Sequence, residues 1–426
     1  DFISTRYDKS IWLNRLVTTL LFIAIVPYIS LQITGINRGF DAVLSQSNVE
    51  KTSIVHHIDL AFIVTLGLGL FIILFTTRRF QNKEQNTGLV SAVAIESIVK
   101  LLVFLIFGIY VIYFVFNGHT DLYSRIPETG LKINEHEDYS QWMGLVFLSM
   151  LAFLFLPRQF ELGVVEVSQE KQLKRATWLF PLYLILINLF VIPIAIAGNE
   201  LLKGQGVDAD TYMLAIPMFL KNDWMTILVM LGGFSAASGM IIVSTHALSK
   251  MVSNSLLMPA FINSKFVLNR FKNKNHRIPV FFRRLSIVIV IFSAYCYYRF
   301  VASDFSLISI GLISFVAVAQ FAPSMIGAVY WKMGNKNGAV LGILSGFSIW
   351  FVLLLVPSIF TADVSHVFQL LGLEDSIRDE GSLISTVLFI SLFVNSFVYI
   401  AVSLLTKQTP IERKQSVLYV DVFNKS

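Results

Sequence analysis

The chain has 426 residues, 55% of them hydrophobic and 14% charged, with a formal net charge of +6 and a mean hydropathy of +0.70. A soluble domain averages about 25% charged residues, so this balance excludes an ordinary water-soluble protein. The cations sit in short stretches between apolar runs, which points to membrane topology rather than to nucleic acid as their purpose.

A helix rises 1.5 Å per residue, so about 20 residues cross roughly 30 Å of hydrocarbon. Apolar runs of that length predict an all-α membrane protein with ten spans, at 11–35, 56–76, 90–116, 141–156, 176–198, 223–249, 285–301, 305–330, 338–357 and 384–405. The runs are too long and too uniformly apolar for the alternating strands of a membrane barrel. The short span 141–156 has apolar sequence continuing past Pro157.

The chain opens on the polar segment 1–10 without Met and without a signal peptide, and is read as a piece of something longer. The first span carries Pro27, with Tyr28 and Gln32 on one face at i, i+4. That face suits interhelical hydrogen bonding or a cavity lining. The third span carries Glu96 and Lys100, again at i, i+4, suiting a structural ion pair or a role in ion coupling and gating.

The span 223–249 holds a run of small residues, Gly232-Gly233-Phe234-Ser235-Ala236-Ala237-Ser238-Gly239. Small residues let helices approach closely, and they also leave carbonyls and hydroxyls within reach of an ion. The span 305–330 places Gln320 beside Pro323, one turn before Gly327, as at a kink or at a discontinuous helix of a transporter.

With the N-terminus taken as cytoplasmic, 23 Lys and Arg fall on the inside and eight on the outside, which predicts both ends on the cytoplasmic side. The outside segments 117–140 and 357–383 are acidic, as solvated loops or as a cation-attracting vestibule. The single cysteine, Cys296, excludes an internal disulfide framework, and the seven histidines, His56 and His57 included, show no metal-ligand spacing. No Walker loop or nucleophile elbow is present, so the sequence assigns no catalytic residue.

Several stretches resemble the sodium/solute symporter family, closest to its branch fused to bacterial sensor histidine kinases. They are Leu156-Pro157-Arg158-Gln159-Phe160, Trp178 to Tyr183, Gly233 to Pro259, Ile310-Gly311-Leu312 through Gln320-Phe321-Ala322-Pro323, and Glu412-Arg413-Lys414-Gln415 through Val422. The resemblance implies a LeuT-type inverted-repeat fold, with about ten of about thirteen spans present and core helices three onward in residues 1–405. Residues 406–426 would form a cytoplasmic tail leading toward a signalling region. It implies a cation site at Gly232, Ser235 and Ala236, with Ser238 standing in for the hydroxyl that Ala236 lacks; the missing ligand weakens the case for sodium, so proton coupling and uncoupled movement stay open beside it. Where the family's transporters carry Thr-Asp-x-x-Gln, this chain reads Glu96-Ser97-x-x-Lys100.

The expected activity is transport or sensing of a small organic solute, such as an amino acid or carboxylate, by alternating access. The substrate-side candidates are Tyr28, Gln32, Ser149, Asn188 and Gln320. A sodium ion is the one cofactor implied. The expected partners are the solute, membrane lipid and kinase domains in the same polypeptide, with no nucleic acid. The expected location is the bacterial inner membrane, as a multi-pass protein. The alternative reading is a nutrient-sensing input domain of a sensor histidine kinase with little or no transport.

Overall fold

The computed structural model describes residues 2–46, 60–76, 87–125, 139–167, 169–262, 264, 277–301, 307–360, 369 and 380–421. Within them every regular element is helical. In chain order the helices are α1 (Phe2–Arg6), α2 (Ile11–Gln46), α3 (Leu60–Thr76), α4 (Thr87–Tyr110), α5 (His119–Ser124), α6 (Tyr139–Phe155), α7 (Pro157–Phe160), α8 (Glu170–Asn188), α9 (Val191–Leu201) and α10 (Tyr212–Phe219). Then come α11 (Asp223–Met251), α12 (Met258–Phe261), α13 (Ile278–Phe300), α14 (Leu307–Ala319), α15 (Ala322–Tyr330), α16 (Lys336–Trp350), α17 (Val356–Phe360), α18 (Glu380–Leu405) and α19 (Pro410–Val420). Wider π-type turns prolong α4, α7, α11 and α16.

Eight of these helical stretches are long and apolar enough to cross a membrane, which makes the chain a multi-pass all-α membrane protein. Gln141–Phe155 and Pro157–Val165 form a ninth if the 47° bend between them lies within one span. Proline has no N–H and clashes with the preceding turn, which accounts for the bend at Pro157. The expected span 56–76 corresponds to the shorter apolar helix Leu60–Leu74. His56, His57 and most of the acidic segments 117–140 and 357–383 lie outside the described residues. Pro27 does not break α2, which runs through it.

Large apolar side chains such as Leu66, Ile95, Trp178, Ile185 and Phe393 are more than half exposed, as lipid contact requires. Lipid tails are as apolar as leucine, so helix association here depends on close packing and hydrogen bonds rather than on apolar burial.

The chain forms two compact units, the first from residues 1–30, 137–160 and 245–426 and the second from 31–136 and 161–244. In the first, Gly338, Gly342 and Gly346 recur every four residues along α16 and press on Ser403, Tyr399 and Asn395 of the antiparallel α18. A methyl group at Gly342 would fall 2.9 Å from Asn395 Oδ1, so this approach needs glycine. Gly144 of α6 lies equally close to Ser385 of α18.

The second unit has an apolar core of Phe107, Val111, Ile112, Phe190, Ile194, Ile196 and Ile216, with Gly108 of α4 against the Phe190 ring. Asn222 donates to Tyr110 Oη at 3.1 Å and with its own Oδ1 accepts the Met225 N–H, so it fixes the start of α11.

Residues 406–420 are folded onto the first unit. Thr409 and Glu412 form a reciprocal capping box behind Pro410, an arrangement that stabilises a helix start by about 1 kcal/mol.

Candidate functional site

Among the described residues, two buried polar clusters hold the groups that the sequence singles out, one in each unit. In the first unit the cluster lies at the break between α14 and α15. The chain tightens there, with Gln320 N–H bonding Ala317 O at 3.2 Å and Phe321 N–H bonding Val318 O at 3.1 Å. Pro323 then starts α15, where its missing N–H is least harmful.

Gln320 is fully buried. Its Nε2 donates to Val316 O at 3.1 Å and to Ser391 Oγ at 2.9 Å. Asn395 Nδ2 donates to Gln320 O at 2.7 Å and to Gln320 Oε1 at 3.2 Å. The two amides therefore satisfy each other and the backbone that the break exposes, as lipid demands of any interrupted helix. Gly346 leaves the space, since a methyl there would run into Gln320 Oε1 and fall 2.8 Å from Asn395 Cβ. Asn395 Oδ1 lies against Gly342 of α16 and is buried without a hydrogen-bond partner.

In the second unit, Glu96 and Lys100 of α4 form an ion pair at 3.5 Å, with side chains 9% and 15% exposed. The small-residue run of α11 packs directly on this helix. A methyl at Gly232 would fall 2.6 Å from Val103 Cγ1, and a methyl at Gly239 would occupy the place of the Glu96 carboxylate. Seven residues on α11 thus match seven on α4, running oppositely. Two features that the sequence flagged separately, the ion pair and the small-residue run, are brought together.

Between these two contacts lie Ser235, Ala236 and Ser238, all half-buried. Ser238 donates its hydroxyl to Ser235 O at 3.0 Å, and α11 is unbroken through the run. Phe234 meets Phe40 of α2 edge-on at 6.4 Å.

The remaining candidates are dispersed. Tyr28 is buried in the first unit, where its hydroxyl accepts from Arg158 Nη1 at 3.3 Å and its ring lies 5.7 Å from Phe315. Gln32 is half-buried in the second unit. Ser149 and Asn188 are exposed and bond back to Leu145 O and Leu184 O, at 2.8 and 2.7 Å. Such i−4 bonds satisfy a polar side chain within its own helix.

Sequence reasoning missed Asn395 and Ser391 of α18, although the glycines at 338, 342 and 346 signalled a close helix partner for α16. It also missed Glu161 and Glu166, both buried at a π-type turn of the second unit. A third omission is the anchor made by α1. Arg6 is fully buried and donates to Ala328 O at 3.2 Å and Trp331 O at 3.1 Å, placing a cation at the negative end of α15. Tyr7 Oη donates to Ser324 O at 2.8 Å and shares a 2.7 Å hydrogen bond with Tyr399 Oη. Burial, reinforced by the neighbouring phenol, pushes the Tyr7 hydroxyl well above the usual tyrosine range.

No protein-family model matches the chain, and no curated protein is detectably similar to it.

Proposed function

We propose that the chain is a solute-handling membrane domain of the sodium/solute symporter type, with a LeuT-type inverted repeat. It binds a small organic solute, such as an amino acid or carboxylate, and moves it by alternating access coupled to sodium or protons. The reading rests above all on Glu96, a buried carboxylate in a spanning helix whose side chain lies against Gly239 of the small-residue run. Ionisable groups inside a membrane are costly and mark ion or substrate pathways.

Glu96 lies eight residues into its helical span, about 12 Å along the axis. There it supplies the anionic oxygen that Ala236 cannot, and Ser235 adds a neutral one. Lys100 is an internal cation that holds the carboxylate when no other cation does. Arrival of a proton or sodium ion at Glu96 frees the Lys100 ammonium, and this exchange links cation binding to helix rearrangement. Gln320, Tyr28, Gln32, Ser149 and Asn188 remain the proposed solute-side groups. The reading takes both ends as cytoplasmic, on the excess of Lys and Arg on one side, and the membrane as a bacterial inner membrane.

The test is uptake of a labelled metabolite panel into vesicles containing the complete gene product, under an imposed sodium or proton gradient. Accumulation of one solute that depends on the gradient supports the reading, and absence of both uptake and binding across the panel rejects it.

A second reading, the input domain of a sensor kinase, draws on the tail. Glu412 of α19 is buried and accepts the Lys336 N–H at 2.6 Å, and Asp421 pairs with Lys332 at 2.6 Å. Movement of the segment between α15 and α16 would therefore carry α19 with it. Solute binding without uptake, accompanied by a shift of α19, favours this reading.

A further inference from the structure

α19 is amphipathic in the reverse sense to a helix in water. The side turned onto its unit carries Glu412, Gln415 and Ser416, which are 2%, 9% and 3% exposed. Its outer side carries Ile411, Val417 and Leu418, which are 50%, 47% and 50% exposed. The inner side is polar but satisfied. Glu412 accepts the Lys336 and Thr409 N–H groups, both at 2.6 Å, and Ser416 donates to Arg413 O at 2.8 Å. Phe2 meets the Tyr419 ring edge-on at 5.3 Å, which seats the last turn.

Water is a poor occupant for such an outer face. Ile411, Lys414 and Leu418 stand at i, i+3 and i+7, so they form one stripe along the helix. Arg413 and Lys414 are exposed while Glu412 is buried, which makes the outer face cationic as well as apolar. A cationic and apolar face matches the boundary between anionic headgroups and acyl chains.

Position supports the same occupant. The spanning helix α18 ends with Leu404 and Leu405, 57% and 84% exposed. Only residues 406–409 separate it from α19, and four residues reach at most about 14 Å. The same end of the unit has an open cleft of about 450 Å³ lined by Trp12, Lys336, Val340, Leu341, Val402 and Thr406. Trp12 is 54% exposed there, and tryptophan is enriched at membrane–water boundaries. Lys336 joins the two features, lining the cleft while its N–H is held by Glu412.

We propose that α19 lies in the lipid–water interface of the membrane that the spans cross. Ile411 and Leu418 enter the headgroup–acyl boundary, and Lys407, Arg413 and Lys414 contact anionic lipid phosphates. Lipid, rather than a protein partner, is the occupant of the outer face.

The test uses the full chain with Cys296→Ser and Leu418→Cys, the new thiol carrying an environment-sensitive fluorophore, in nanodiscs of phosphatidylcholine with and without phosphatidylglycerol. Quenching by lipids with a nitroxide near the headgroup is expected to exceed quenching by a water-soluble nickel chelate about twofold or more. Phosphatidylglycerol is expected to widen that margin, and Lys414→Glu to remove the increment. Ile411→Cys is a second reporter with the same expectation. Equal access for the aqueous quencher in nanodiscs and in detergent overturns the proposal. Shielding from both quenchers also overturns it, since a second copy or another polypeptide would then cover the face.

Discussion

The Gln320–Asn395 and Glu96–Lys100 clusters inside the spanning helices solve different problems. In the first unit, Gln320 and Asn395 are neutral amides that bond each other, Ser391 and two backbone carbonyls across a helix break. In the second, Glu96 and Lys100 are charged, adjacent on one unbroken helix, and lie against glycine. The amide cluster repairs backbone that an interruption exposes, and its geometry is fixed by three helices. The ion pair repairs nothing in the backbone, and in the proposed function a proton or another cation takes the place of the Lys100 ammonium at Glu96. On that proposal the first is a scaffold and the second the responsive element.

The largest expected effect breaks the scaffold. Asn395→Ala leaves the Gln320 carbonyl and side-chain oxygen without the amide donor, and a buried unsatisfied group costs about 1–3 kcal/mol. Thermal unfolding in detergent should show a loss of roughly 2–4 kcal/mol for the two together.

Next comes Gly239→Ala, which forces the Glu96 carboxylate aside and should cost about 1–3 kcal/mol as overpacking. In the Glu96→Ala background the same substitution should be nearly neutral, a coupling of about 1 kcal/mol or more in a double-mutant cycle. Gly346→Ala offers no such rescue by one truncation, because both Gln320 and Asn395 would be displaced.

The smallest effect concerns Tyr7. Its pKa is raised by burial, so the folded state keeps a proton that the unfolded state loses above the ordinary value of 10.0. The contribution is complete below pH 10.0 and declines as pH rises above it, because the unfolded chain then binds fewer protons. Unfolding midpoints measured across that range should fall less steeply in Tyr7→Phe than in the natural chain.

Hydropathy made the membrane-spanning character legible, since bilayer length imposes a run that no soluble element needs, but of the ten expected spans the described residues show eight, or nine with the bent pair. The break near Pro323 was legible because proline interrupts helices, whereas at Pro157 the sequence showed only apolar residues continuing past it, not the bend. Pro27 carried the same signal, yet α2 accommodates it without a break. Asn395 was not legible: it is one amide in a 26-residue apolar helix, and its partner is 75 positions away. Ser149 and Asn188 drew notice by residue type alone, but their own helices satisfy them. Proximity of Glu96 to Gly239 required knowing that α4 and α11 pack together, which no local pattern encodes.

The most direct test of the division between scaffold and responsive element is solute binding to the complete gene product across sodium concentration and pH, in the natural protein and in Glu96→Gln. The account predicts binding that depends on sodium or pH in the natural protein and a lost or shifted dependence in Glu96→Gln, with that dependence retained in Asn395→Ala. An identical cation dependence in the natural protein and Glu96→Gln would contradict it.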